Sequence, residues 1–239
     1  MGSIAENIQM VRERIARAAE RSGRRPEDIL LVGASKMNGA AACREAVAAG
    51  IDALGENRVQ EMLEKLSEHA YDGAPLHFIG HLQRNKVRQV VGNVSLIHSA
   101  GSLELLEEID RQAQKRGLVQ DVLLEVNIGR EESKSGFDPD ELFDAAARAR
   151  EFEALRVLGL MAIPPAAERP HGNLRYFEKV CRLSVDIAGN LYDNGFEYLS
   201  MGMSDDFEDA IAAGANMVRV GSAIFGHRPY QTTTGGFTQ

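Results

Sequence analysis

The sequence predicts an α/β protein, a single (β/α)8 barrel with an extra helix at its start. Three observations lead there. A strand-then-helix rhythm recurs eight times, no glycine-rich dinucleotide loop marks the switch point of an open sheet, and 239 residues match a barrel of roughly 250. The opening "MGSIAENIQMVRERIARAAERSG" reads as a charged amphipathic helix with Ile4, Ile8, Val11 and Ile15 on one side. It lacks the unbroken apolar core of a signal, and no stretch is long enough to span a membrane. "ILLVGAS" then reads as a strand, and "AACREAVAAG" as a helix that stops at Gly50. "IDALGEN" with "RVQEMLEKLSEHA" repeats the unit, followed by "LHFIGH" with "QRNKVRQVV" and "VSLIHS" with "SLELLEEIDRQAQKRG". "DVLLEVNI" with "PDELFDAAARAREF" comes next, and "LRVLGLMAI" precedes a long helix near 173–194. "FEYLSMG" leads into "SDDFEDAIAAG", where Ser204 is the expected N-cap, and "NMVRVGSAIF" closes the series. Little chain follows that eighth strand, so the first helix is expected to cover the gap. Nothing resembles a linker or a solenoid repeat, and residues 1–239 are read as one domain.

Composition narrows the function classes. A formal charge of −8 and a pI near 5.3 argue against a nucleic-acid surface. Cys43 and Cys181 lack metal-like spacing and read as small, partly buried side chains in a cytoplasmic protein. His77 and His81 are four apart, which on a strand separates them by about 13 Å, too far to share a metal.

In such barrels chemistry gathers at the C-terminal ends of the strands. Those ends offer Lys36, Glu56 with Asn57, His81, His98 with Ser99, Asn127, Met161, Ser200 with Met201 and Gly202, and Arg219 with Gly221 and Ser222. Lys36 stands out by parity: with Ala34, Val32 and Leu30 it is expected to point inward, its stem rising through an apolar interior that would favour a neutral, nucleophilic amine. Arg219, the one charge inside "NMVRVGSA", is a cation that could enforce this. The opposing reading has Arg219 paired with a carboxylate such as Glu56 and Lys36 snorkelling to the rim. Gly221 and Ser222 lead into a short helical turn whose amides and hydroxyl suit an anion, with Ser200 reaching across. Lys134, in "REESKSG", reads as a solvated loop residue, a contact to a bound anion being the lesser alternative. An amine, an arginine and a phosphate cradle at one mouth describe a site for pyridoxal 5'-phosphate (PLP).

The motifs "LLVGASK", "GENRVQE", "HFIGHLQRNKV", "IHSAGS", "EVNIGREESKSG", "GLMAIPP" and "LSMGMSDDFEDAIAAGANMVRVGSAIFG" span nearly the whole chain. On them the sequence resembles the pyridoxal phosphate homeostasis protein family, of the YggS and PROSC type, similar in fold to the N-terminal barrel of alanine racemase. The resemblance implies that Lys36 forms a Schiff base with PLP and that Arg219 faces the pyridine nitrogen. It further implies that Ser200, Gly221 and Ser222 hold the phosphate, with Asn57 and Met201 near the ring. Where the family commonly continues Thr-Lys-Pro after the lysine, this chain has Met37, Asn38 and Gly39. An arginine opposite the ring nitrogen weakens the cofactor as an electron sink, and this chain leaves no room for the second domain of alanine racemases. The expected function is therefore to hold, buffer or deliver PLP, as a monomer, to PLP-dependent apoenzymes or from PLP-supplying enzymes. The alternatives are a weak PLP-dependent amino-acid racemase and, without cofactor, a Schiff-base aldolase.

Overall fold

The computed structural model describes residues 2–193 and 195–226; residues 227–239 of the expected domain lie outside it. Eight parallel strands close into a barrel in chain order: β1 Leu30–Ala34, β2 Ala53–Glu56, β3 Leu76–Phe78, β4 Leu96–Ala100, β5 Gln120–Val126, β6 Leu155–Ala162, β7 Tyr198–Ser200 and β8 Met217–Val220. Closure comes from β8 pairing with β1, Arg219 lying opposite Val32 in that register. The helices are α1 Ile4–Arg21, α2 Ala40–Ala48, α3 Val59–Ser67, α4 Val87–Val90, α5 Leu103–Arg116, α6 Leu142–Ala149, α7 Leu174–Leu191, α8 Phe207–Ala212 and α9 Ser222–Phe225. Every expected unit is present. Gly50 takes the expected left-handed stop at φ 77.

Strand alternation builds two apolar layers. Side chains facing the helices, among them Leu31, Leu54, Phe78, Ile97, Leu124, Leu160 and Val218, join one continuous core, each fully buried aliphatic side chain contributing roughly 1.5–3 kcal/mol. Val32, Ala53, Leu96, Leu123, Met161 and Met217 form a separate plug inside the barrel. The β6–β7 seam is tight enough that a Cβ on Gly159 would lie 1.8 Å from the Tyr198 carbonyl oxygen, so only glycine fits there.

Helix α1 begins at a Ser3–Glu6 capping box and buries Ile8, Val11 and Ile15, as its spacing predicts. It packs on α2, α8 and α9 and so covers the β8–β1 side of the barrel. Asn7 donates to the Ile224 carbonyl at 2.8 Å, and Arg14 holds Glu208 on α8 through two hydrogen bonds of 2.9 and 2.8 Å. The first helix thereby fixes the short turn after β8. One cap differs from expectation: Asp206, not Ser204, is the N-cap of α8, its Oδ1 accepting from the Met203 amide at 2.8 Å. Ser204 is drawn instead toward α9, where its hydroxyl faces two free amides. No described helix is long and apolar enough to cross a membrane.

Candidate functional site

Above the apolar plug, the inward positions change from hydrophobic to polar. His77, His98, Glu125, Ser200 and Arg219 come from five strands and are all buried. The register explains the histidine contact: His77 lies opposite Leu96, so His98, two residues further on, returns to the same face one layer higher. Arg219 donates through Nη1 to Ser200 Oγ at 2.6 Å and through Nη2 to the Ala162 carbonyl at 3.0 Å. Ser200 Oγ lies 3.0 Å from His98 Nδ1, and His98 Nε2 lies 3.0 Å from His77 Nδ1. Because a guanidinium can only donate, Ser200 accepts from it, and a chain in which Ser200 donates to His98 and His98 to His77 is satisfied with both imidazoles neutral. Burial lowers the His77 pKa to about 4. Burial, with the neighbouring His77 and Arg219, holds His98 well below its ordinary value.

Arg219 has no carboxylate bridged to it among the described residues. Burial pulls its pKa down to about 10, against the opposing pull of Glu125 and Asp206, so it stays charged at neutral pH. Glu125 is nearby rather than bonded; burial raises its pKa, and Ser135 Oγ donates to it at 3.2 Å. A buried guanidinium without a salt bridge is unusual enough to mark a functional site. It corrects the reading in which Arg219 pairs with Glu56. On β2, Ala53 faces the interior and Leu54 faces the helices, so Glu56 points outward to α3 and bonds Lys65.

Lys36 reaches the rim by a different route from the one its parity predicts. Leu30 and Val32 face the interior as expected, but β1 ends at Ala34 and residues 35–38 turn back, Asn38 N donating to the Ser35 carbonyl at 3.1 Å. Lys36 therefore sits exposed on the turn, not with its stem threaded through apolar side chains. Met37 adopts the left-handed φ of 63 that such a turn demands, and Asn38 Nδ2 bonds the Lys36 carbonyl at 3.1 Å. Gly39 is the N-cap of α2.

The remaining expected residues fall into two groups. Gly221, Ser222 and Asn57 lie half-buried at the same mouth. A Cβ on Gly221 would stand 3.2 Å from the Ala34 oxygen, which places the end of β8 against the strand that carries the Lys36 turn. The Gly221 and Ala223 amides meet only the Ser204 hydroxyl, at 3.3 and 3.5 Å, bonds long enough to yield to a stronger acceptor. Asn57 Oδ1 is buried with no partner among the described residues, and a Cβ on Gly80 would lie 2.2 Å from the Asn57 carbonyl oxygen. Asn57, Gly80, His81, Glu125, Asn127, Lys134 and Ser135 line a cavity of about 370 Å³ there. Ser200 and Met201 are both fully buried. The Ser200 hydroxyl is committed to Arg219 and His98, and the Met201 side chain is buried in the layer between barrel and helices. Lys134 is partly exposed, as a loop residue should be, but not free: its ammonium bonds the Pro164 carbonyl at 3.0 Å and pairs with Glu131. Asn127 ties that loop together, donating to the Glu131 carbonyl at 2.9 Å.

These features fit PLP on the chain's own terms: an exposed amine, weakly engaged amides for a phosphate, and a buried donor-only cation beneath the mouth. No group of three or more His, Cys, Asp or Glu side chains suited to a metal occurs among the described residues. The contact between His77 and His98 and the contact of Ser204 with α9 escaped the sequence reading; following inward parity on β3 and β4 together would have paired the histidines.

Comparison with known proteins agrees. Residues 2–229 match the family model "Alanine racemase, N-terminal domain". The chain is similar to the pyridoxal phosphate homeostasis protein of Aquifex aeolicus, 44% identical over 94% of this chain and 98% of the relative. It is 43% identical to that of Escherichia coli K12 over 96% of this chain and 99% of the relative. The structure of PipY from Synechococcus elongatus with PLP bound superposes with a TM-score of 0.82 at 32% identity, covering 94% of this chain and all of that one. Alanine racemase of Clostridium difficile, at 20% identity and a TM-score of 0.69, shares the fold over 58% of its length. This chain belongs to the pyridoxal phosphate homeostasis protein family, within the group that shares the alanine racemase N-terminal domain.

Proposed function

We propose that this protein binds PLP at the barrel mouth and holds, buffers or delivers it within the cytoplasm. The observation that carries the reading is the convergence of the Lys36 turn, the Gly221 and Ser222 cradle and the unbridged Arg219 at one end of the barrel. The family relationship and the PLP-bound structure of PipY support it. When bound, PLP supplies an aldehyde that an amine can capture and an electron sink for carbanion chemistry. Lys36 would hold it covalently through its amine. The Gly221 and Ala223 amides and the Ser222 hydroxyl would receive the phosphate, with Ser204 yielding, and the Asn57 side chain would flank the ring. Arg219 would donate toward the pyridine nitrogen. Because it keeps its own proton at neutral pH, it would leave that nitrogen unprotonated and would favour storage over carbanion chemistry. Ser200 and the neutral histidines act one step removed, fixing the guanidinium's direction rather than touching phosphate.

In this reading the single barrel acts as a monomer, and its partners are PLP-dependent apoenzymes or PLP-supplying enzymes. The unpaired Cys43 and Cys181 suit a reducing compartment. The test is a visible-absorption titration of the purified protein with PLP, paired with NMR of deuterium exchange at the α-carbon of several amino acids. The proposal expects saturable binding with negligible exchange. Arg219→Glu should loosen PLP without revealing turnover. Fast, stereospecific exchange abolished by Lys36→Ala would return the protein to the racemase class.

A further inference from the structure

A second buried polar cluster lies on the outer face of the barrel, beneath the Lys36 turn. At its centre is Lys65 of α3, 4% exposed, with Glu61 one turn before it on the same helix also largely buried. Its ammonium donates to the Ser35 carbonyl at 2.9 Å, to Glu56 Oε1 at 2.6 Å and to Glu61 Oε1 at 2.7 Å, using all three of its donors. Glu56 Oε1 also accepts from the Ser35 hydroxyl at 2.6 Å and from Tyr71 at 3.0 Å. Glu61 Oε1 accepts the Met37 amide. The residues immediately before and after Lys36 are thus fastened to one ammonium and its two carboxylates, while no bond of the cluster falls on the Lys36 side chain.

We propose that Lys65, Glu56 and Glu61 are positioning residues that clamp the turn around Lys36 so that its amine is presented to the barrel mouth. The proposal rests on the reading above that PLP is captured there. Met37 carries a Cβ in a left-handed conformation that disfavours it, and nothing in its own exposed side chain compensates. The Glu61 bond to its amide supplies the missing constraint. Stability alone is a weak explanation for such a cluster, because well-packed apolar residues replace buried ion pairs at little or no cost. What apolar residues could not do is grip backbone groups at positions 35 and 37.

The test compares wild type with Glu61→Ala, which removes the acceptor for Met37, and Glu61→Gln, which keeps an acceptor oxygen in place. The rate of covalent PLP capture at Lys36 is read by mass spectrometry of the borohydride-reduced peptide, and exchange of the Met37 amide is followed in PLP-free protein. Glu61→Ala should slow capture about tenfold, the equivalent of one charge-assisted hydrogen bond, and Glu61→Gln should recover most of it. The wild-type Met37 amide should exchange at least about a hundredfold more slowly than in an unstructured peptide. Equal capture by wild type and Glu61→Ala would overturn the inference, and so would fast Met37 exchange in the wild type, a measurement that needs no variant to fold. A wild type that takes up no PLP would sink the functional reading, leaving the amide exchange to judge the clamp.

Discussion

Lys65 and Arg219 are both buried cations at the β8–β1–β2 side of the barrel, and their surroundings differ in kind. Lys65, on the outer face, bonds two carboxylates and a carbonyl. Arg219, on the inner face, has one hydroxyl, one carbonyl and behind them two neutral histidines. Burial pulls the Lys65 ammonium down, but its bonds to Glu56 and Glu61 outweigh that and leave its pKa raised; for Arg219 burial wins. The contrast separates a cation neutralised by two carboxylates from a desolvated one with no carboxylate bridged to it among the described residues. A desolvated cation without an anion is costly in a protein that only needs to fold, and a phosphorylated, electron-rich ligand suits it.

The largest effect should come from breaking the outer cluster. Lys65→Met would leave Glu56 buried beside no cation, and denaturant unfolding should show a loss of about 3–5 kcal/mol. A loss under 1 kcal/mol would mean that the outer cluster is less finely compensated than its geometry implies.

Next is the cradle. Ser222→Ala should weaken PLP binding by about 1.5–3 kcal/mol, as for a lost hydrogen bond to a charged group, read by equilibrium titration with folding stability unchanged. Unchanged affinity would move the phosphate elsewhere on the rim.

Acid and alkali should separate the two clusters. His77 titrates near 4 when folded and near its ordinary value of 6.5 when unfolded, so the unfolded chain binds more protons between those values. Its contribution to stability is therefore complete above about pH 6.5 and lost as pH falls toward 4, with a slope of up to about 1.4 kcal/mol per pH unit per histidine. His77→Gln should flatten that acid limb. Lys65 behaves oppositely: its raised pKa gives stability that persists below its ordinary value and is lost only as pH rises through the folded value. An acid limb unaltered in His77→Gln would mean that the interior histidine is not neutral.

Much of the inner face was legible in the sequence, because strand parity projects directly onto a barrel interior. Val32, Met217 and Arg219 fall where alternation puts them, and the Gly221–Ser222 turn becomes α9 as "VRVGSAIF" implies. The Lys36 turn was less so: parity assumes a continuing strand, whereas Ser35 and Asn38 close a turn that brings the lysine into solvent. The outer cluster was not legible. Glu61 and Lys65 are spaced i, i+4 on a charged helix, a pattern that ordinarily marks a solvated face, and only the packing of α3 over the end of β2 buries them. Ser204 shows the same limit, since a hydroxyl before acidic residues reads as a cap until a nearer pair of free amides competes for it.

The most direct test of the contrast between the inner site proposed for PLP and the charge-neutralised outer cluster is the fate of the lysines themselves. The protein is incubated with PLP, reduced with borohydride, digested and mapped by mass spectrometry. The account predicts the pyridoxyl adduct on Lys36, with Lys65 unmodified because its three donors are occupied and its side chain is buried. An adduct on Lys134 alone, or on Lys65, with Lys36 free would contradict it.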